Sequence, residues 1–160
     1  MADNLSPEDR RRTMQAVKSA KTGLERRLFA MLAGMGLKGW RKNAVDLLGK
    51  PDVAFDQQRV AIFVDGCFWH RCPVCKRKLP KTNREYWERK LERNVRLARD
   101  ANRRLRREGW LVVRCWEHEL RNPNGRVGFR EGVRSALSER RKHRDAGARK
   151  KGRGRVSSPP

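Results

Sequence analysis

Two groups of residues in this chain have the types and spacing to do chemistry. Cys67, Cys72 and Cys75 fall in one polar loop, and the two residues between Cys72 and Cys75 let both thiolates reach one tetrahedral ion. A fourth ligand has two candidates beyond a later apolar run, Cys115 and His118. Cys115 continues the alternation of Leu111 and Val113 and so reads as a small buried hydrophobe, which leaves His118 as the expected ligand. A closed set of three thiolates and one imidazole suits zinc and would be structural, since no coordination position remains for substrate. The bland alternative is three unrelated free thiols, in a loop too polar to bury them.

The second group carries hard oxygens. Pro51-Asp52 opens one apolar run and Asp65 closes the next. In an antiparallel hairpin the start of one strand lies beside the end of its partner, so the two carboxylates are expected to be neighbours. Magnesium-dependent phosphodiester hydrolysis needs rigid oxygen ligands and an activated water. His70 follows Cys67-Phe68-Trp69 directly, and an imidazole with an ordinary pKa near about 6.5 can take the water's proton at neutral pH. His70 has a second reading as a zinc ligand. Glu25, three residues after Thr22, either completes a capping box or holds water on a metal ion.

These residues need a frame. Ser6-Pro7-Glu8-Asp9 announces a helix to about Ser19, and Leu24, Leu28, Met31, Leu32 and Met35 mark a second from Thr22. Trp40 to Asn43, Pro51 to Phe55 and Arg59 to Val64 read as short strands. After the Cys-rich loop a long helix starts near Asn83, with Trp87, Leu91, Val95, Ala98, Ala101 and Leu105 on one face and Arg crowding the other, and ends at Gly109. Trp110 to Cys115 is a fourth strand, and a last helix is expected over Arg126 to Arg140 with Val127, Val133 and Leu137 inward. This order predicts an α/β fold, a mixed β-sheet flanked by helices. Residues 1–140 are expected to form one domain. From Arg141 to Pro160 the chain is basic with hardly any apolar residues and is expected to be a disordered tail.

The overall charge names the partner. Lys and Arg total 41 against 18 Asp and Glu, a formal net charge of +23, which attracts phosphate polyanions through counterion release. Five Trp and five Phe add flat surfaces able to stack on bases or wedge between them. The chain has no apolar run long enough to cross a bilayer and no signal-peptide core, so a cytoplasmic protein, associated with the nucleoid when on DNA, is expected. In that reducing compartment clustered Cys point to metal rather than to disulfides.

Phe63-Val64-Asp65-Gly66-Cys67-Phe68-Trp69-His70, then Cys72-Pro73-Val74-Cys75 and Trp116-Glu117-His118, resemble the very-short-patch-repair (Vsr) mismatch endonucleases. The likeness runs from about Ser6 to Leu120 and includes Arg12 to Val17, Pro51-Asp52 and Asn83 to Trp87. It implies a restriction-endonuclease-like fold of the PD-(D/E)xK type, a nick 5′ of a thymine mispaired with guanine, and magnesium as the catalytic ion. On matching positions Asp52 would bind magnesium with help from the Val64 carbonyl, His70 would be the general base, and Glu25 would hold metal-bound water. Phe68 and Trp69 would be an aromatic wedge, with Met14 entering the opposite groove, and Cys67, Cys72, Cys75 and His118 would hold zinc. Some members carry Thr-His where this chain has Val64-Asp65, so Asp65 makes the site resemble a two-carboxylate nuclease and leaves the target open. The resemblance also implies action as a monomer on mismatched duplex DNA, alongside mismatch-repair proteins. The rival readings are a restriction-type or modified-DNA nuclease of the same fold and a zinc-stabilised module that binds DNA without cutting it.

Overall fold

The computed structural model describes residues 6–152. Four strands, β1 (Arg41–Lys42), β2 (Val53–Phe55), β3 (Val60–Asp65) and β4 (Leu111–Trp116), form one sheet in the order β1-β2-β3-β4. The first three run antiparallel, with Val53 opposite Ile62, while β3 and β4 are parallel, with Val60 opposite Leu111 and Asp65 opposite Trp116. Parallel neighbours need a crossover, and α2 (Arg84–Arg107) supplies it. The mixed sheet with flanking helices is the α/β architecture expected.

Side chains alternate across the sheet and split its packing into two layers. Val53, Phe55, Val60, Ile62 and Cys115 face Leu28, Met31 and Leu32 of α1 (Pro7–Gly34) and Phe129, Val133, Ala136 and Leu137 of α4 (Pro123–Gly152). Ala54, Ala61 and Phe63 face the other way, onto Leu105 of α2 and Trp110. The small residues on this side let the helix lie close to the strands.

Several boundaries differ from the expected ones for local reasons. The two expected N-terminal helices are one 28-residue helix, because Ala20-Lys21 contains no breaker and a lone Gly23 costs only about 1 kcal/mol. A short helix not expected, α3 (Glu117–Arg121), follows β4 directly. The last helix starts at Pro123, a favoured first helical position, with the Asn122 side chain accepting the Asn124 amide at 2.9 Å as its cap. It runs on to Gly152, through Arg, Lys and Ala that favour helix, beyond the expected end at Arg140. Residues 153–160 of the basic segment lie outside the described residues. Val127, expected inward, is 51% exposed, and Phe129 takes that place.

The end of α2 is legible in its last residues. Gly109 (φ 82) donates to the Arg106 carbonyl at 3.0 Å and Trp110 to that of Leu105 at 2.8 Å, a Schellman closure in which Trp110 also packs with Leu105. Arg104, Arg106 and Arg107 in the last turn complement the negative helix end.

Gly125 fixes how α3 lies on α4. A Cβ there would sit 2.6 Å from the Glu119 backbone, whereas one at Gly128, also in α4, meets nothing within 4 Å. Gly125→Ala is therefore expected to lower stability by about 1–3 kcal/mol, while Gly128→Ala raises it by up to about 1 kcal/mol. Thermal unfolding of the two variants checks this, and equal shifts would refute the close approach.

Candidate functional site

Most of the candidate residues lie at one edge of the sheet. Because β3 and β4 are parallel, both strands end there, β3 leading into the loop after Asp65 and β4 into α3. The antiparallel β2 begins at the same edge, directly after Asp52. Loops leaving the carboxyl ends of parallel strands are a recurrent place for ligand sites in α/β sheets.

The loop after Asp65 turns back on itself. Its amides at His70 and Cys72 donate to the Gly66 and Cys67 carbonyls at 3.1 and 2.9 Å, and the Cys67 amide donates to Glu117 of α3 at 3.1 Å. This brings Cys67, Cys72, Cys75 and His118 together, with their ligand atoms all within 4.8 Å of one another. His118 Nδ1 lies 3.3 Å from Cys67 Sγ and 3.6 Å from Cys72 Sγ. Tetrahedral zinc with its usual bond lengths sets sulfur and nitrogen about 3.6 Å apart, so these donors fit such an ion. The group can hold a metal ion. Burial pushes the Cys67 thiol up to about 12, and a divalent cation reverses this by deprotonating the thiols it binds. Cys115 stays in the main core, fully buried, its thiol 3.5 Å from the Trp116 carbonyl, and burial pushes it too up to about 12. His70 is not one of the converging residues.

The two carboxylates share a face of the sheet but are held differently. Asp52, 8% exposed, accepts the Val64 amide through Oδ2 at 2.7 Å. Asp65, 6% exposed, accepts Arg114 Nε at 2.6 Å and Nη2 at 2.7 Å. Arg114 Nη1 donates in turn to Asn102 of α2 at 2.7 Å, and its guanidinium lies 4.3 Å from the centre of the Phe63 ring. His70 Nε2 stands 3.7 Å from Asp65 Oδ1, and its Nδ1 is buried with no hydrogen-bond partner among the described residues. Burial, above all, lowers the His70 pKa from its ordinary 6.5; Asp65 opposes that shift and Arg114 adds to it. As donors, a carboxylate and neighbouring backbone carbonyls suit a hard cation that keeps several waters, the usual state of magnesium in proteins.

Beside the loop lies an aromatic cluster. Phe68 and Trp69 meet edge to face with ring centres 5.2 Å apart, and both contact Trp87 of α2, at 5.7 and 6.0 Å. Lys90 Nζ stands over Trp69, Trp87 and Tyr86 at 5.3 to 5.5 Å from their ring centres. Phe68, Trp69 and Trp87 are half-buried and Tyr86 is 52% exposed, so the cluster reaches the surface. Asn94 donates to the Trp69 carbonyl at 3.3 Å and ties the loop to α2. Glu25 lies in α1, half-buried, next to Leu24 of the main core. Met14 is in α1 as well; its side chain lies outside the described residues.

Sequence reasoning passed over Arg114, Asn102 and Lys90. For Arg114 a signal existed: a lone charge inside the apolar run from Leu111 to Trp116 must find a partner. Asn102 and Lys90 carried none, as both sit among many polar residues of α2.

Comparisons with known proteins identify the family. Residues 2–76 match the family described as DNA mismatch endonuclease Vsr. The chain is 43% identical over 119 residues to the type II nicking enzyme V.NmeDIP of Neisseria meningitidis serogroup C, covering 74% of this chain and 80% of that one. It is 44% identical to the type II nicking enzyme V.NaeI of Lentzea aerocolonigenes, over 69% of this chain and 68% of the relative. It is 38% identical to the DNA mismatch endonuclease Vsr of Escherichia coli K12, over 76% of this chain and 77% of the relative. With relatives this similar along most of their length, the chain belongs to the Vsr family of DNA mismatch endonucleases.

Proposed function

We propose that this protein nicks one strand of duplex DNA on the 5′ side of a mispaired base, thymine opposite guanine being the expected target, with magnesium as the catalytic ion and zinc as a structural one. The observation that carries the reading is that Asp52 accepts the Val64 amide while His70 stands 3.7 Å from the next residue along the strand, Asp65, where the aromatic loop begins. A restriction-endonuclease-like core is the fold proposed to underlie it. The chain is proposed to work as a monomer on mismatched DNA, in the cytoplasm, with mismatch-repair proteins as partners; among the described residues no helix is long and apolar enough to cross a membrane.

Asp52 and the Val64 carbonyl would hold magnesium. In an extended strand the N–H and C=O of one residue point the same way, so the Val64 carbonyl faces β2, where its amide already meets Asp52. Magnesium bound there would offset charge on the transferring phosphate and leaving oxygen. His70 would take the proton of the attacking water. Its depressed pKa supports that role, because a base must be neutral at working pH. Glu25 would help orient water at the same site, and Asp65 would complete the acidic edge. Phe68 and Trp69, backed by Trp87, would slide into the mispaired step, with Met14 working from the opposite groove; a mispaired step is cheaper to unstack than a matched one. The excess of Lys and Arg would hold the phosphates on either side, the basic segment from Arg141 adding sequence-independent affinity.

Zinc on Cys67, Cys72, Cys75 and His118 would hold His70 and the wedge in register with the sheet. His118→Ala or chelation is expected to release one zinc per chain and lower the melting temperature, together with loss of nicking. Elemental analysis and calorimetry measure both, and a fully stable metal-free chain would contradict the assignment.

Asp52→Ala is expected to abolish magnesium-dependent nicking of a T:G duplex while DNA affinity is kept or rises, since a negative charge facing the phosphate is gone. Strand-resolved gels and binding titrations on a panel of mispairs test this; cutting of both strands of matched DNA at an equal rate would favour a restriction-type enzyme.

The pH profile follows from His70. Its folded pKa lies below 6.5, so the neutral, proton-accepting form persists until the pH falls under that value. Single-turnover nicking is expected to hold at neutral pH and to reach half its plateau rate only below pH 6.5. A limb centred above 6.5 would be inconsistent with His70 as the buried base.

A further inference from the structure

We propose that Arg114 is a positioning residue that takes Asp65 out of the cation-binding set and makes it the fixed anchor against which His70 is set. This rests on the nuclease reading above and changes the part Asp65 plays in it. In the parallel register Phe63 lies opposite Arg114 and Asp65 opposite Trp116, so Arg114 projects from the same face of the sheet as Asp65, one pleat earlier. From there its fork takes both oxygens of Asp65, at 2.6 and 2.7 Å, the planar two-point match that makes arginine–carboxylate pairs strong and directional. Each of its three nitrogens has an acceptor. Nη1 is bound by Asn102 at 2.7 Å, and the flat face lies on the Phe63 ring. With exposures of 22% for Arg114 and 8% for Asp65, the pair is shielded from water.

Two consequences follow. A carboxylate with each oxygen already held by a permanently charged partner is a poor ligand for a cation, because both would compete for the same negative charge. Asp52 is then the principal negative charge offered to magnesium. Second, Asp65 Oδ1 both accepts Arg114 and stands 3.7 Å from His70 Nε2, so the place of the imidazole is referred through Asp65 and Arg114 to Asn102 on α2. Arg114 thus acts through Asp65, without touching the reacting atoms.

The test compares Asp65→Asn, Arg114→Met, Arg114→Lys and the double variant Asp65→Asn with Arg114→Met. Each is measured by single-turnover nicking, by Mn2+ binding to the protein–DNA complex read from the free-ion paramagnetic resonance signal, and by thermal unfolding. Asp65→Asn and Arg114→Met are each expected to slow nicking at least about tenfold while the Mn2+ dissociation constant stays within about twofold of wild type. The double variant is expected to be no slower than the slower single variant, as for two residues acting as one unit, and Arg114→Lys is expected to recover part of the rate. If Asp65→Asn weakens Mn2+ binding about tenfold or more while Arg114→Met tightens it, Asp65 is a cation ligand and the proposal is overturned. Multiplying losses in the double variant overturn it too. Should Arg114→Met fail to fold, Arg114→Lys and Asp65→Asn carry the same comparison. A wild-type chain that neither nicks any mispair nor binds Mn2+ ends the nuclease reading itself, an outcome distinct from an active enzyme with a metal-dependent Asp65.

Discussion

The parallel pairing of β3 on β4 is the constraint on which the rest depends. Residues 60 to 65 and 111 to 116 are brought side by side in one direction, so both strands finish at the same edge. The residues that follow β3 include Cys67, Phe68, Trp69, His70, Cys72 and Cys75; those that follow β4 are Glu117 and His118. An antiparallel β4 would have sent its last residues to the opposite edge, leaving three thiols without their imidazole and the Cys67 amide without Glu117. Parallel strands require a crossover, and that crossover is α2, which carries Trp87, Asn94 and Asn102 to the places where they meet Phe68, the Trp69 carbonyl and Arg114. One topological choice thus assembles the three thiols with their imidazole, the aromatic cluster and the residues behind Asp65.

Electrostatics at this edge run against the chain as a whole. A molecule of net charge +23 holds a local pair of buried acids where, under the proposed function, a polyanion would be cut. Left alone, two nearby carboxylates would repel a phosphate and resist ionising together. The structure balances them: Asp52 is held by a backbone amide and Asp65 by a guanidinium. Distant Lys and Arg bring DNA to the surface through a field that salt screens, whereas the buried contacts are screened far less. Binding and chemistry are thereby separable, since the charges that gather the substrate lie outside the buried edge.

Much of this was legible in the sequence, and the unread parts have physical causes. The hairpin of β2 and β3, the Cys-rich loop, the long helix closed at Gly109 and the fourth strand follow from alternation, turn residues and helical spacing, all local signals. The family resemblance rested on strings such as Phe63 to His70, and the relatives agree with it. The join between two expected N-terminal helices was misplaced because Thr22 and Glu25 imitate a capping box inside a continuous helix. The short helix α3 escaped because five residues are too few to show a period, although Glu119 accepting the Trp116 amide at 2.7 Å gives it a proper start. What the sequence could not show is the partnership of Asp65 with Arg114, 49 residues apart, since pairing across a crossover leaves no local trace.

The softness of the ligands explains how two ions could be told apart within so few residues. Cys67, Cys72, Cys75 and His118 are soft or borderline donors, poor for magnesium, whereas Asp52 and a backbone carbonyl are hard donors of the kind that suits it. Under the proposed assignment each ion would find only its own site attractive. The arrangement also answers a problem of stability. On the α2 side the sheet presents Ala54, Ala61 and Phe63, a thin apolar layer, and the loop from Gly66 to Pro80 adds few apolar side chains to it. A loop of that composition cannot hold His70 in place by burial alone, because the entropy of ordering it exceeds the apolar surface it hides. Under the proposed assignment, ligation to one ion, with the hydrogen bond from the Cys67 amide to Glu117, would provide the order that hydrophobic packing does not. The catalytic edge would then owe its rigidity to a metal that takes no part in the cut.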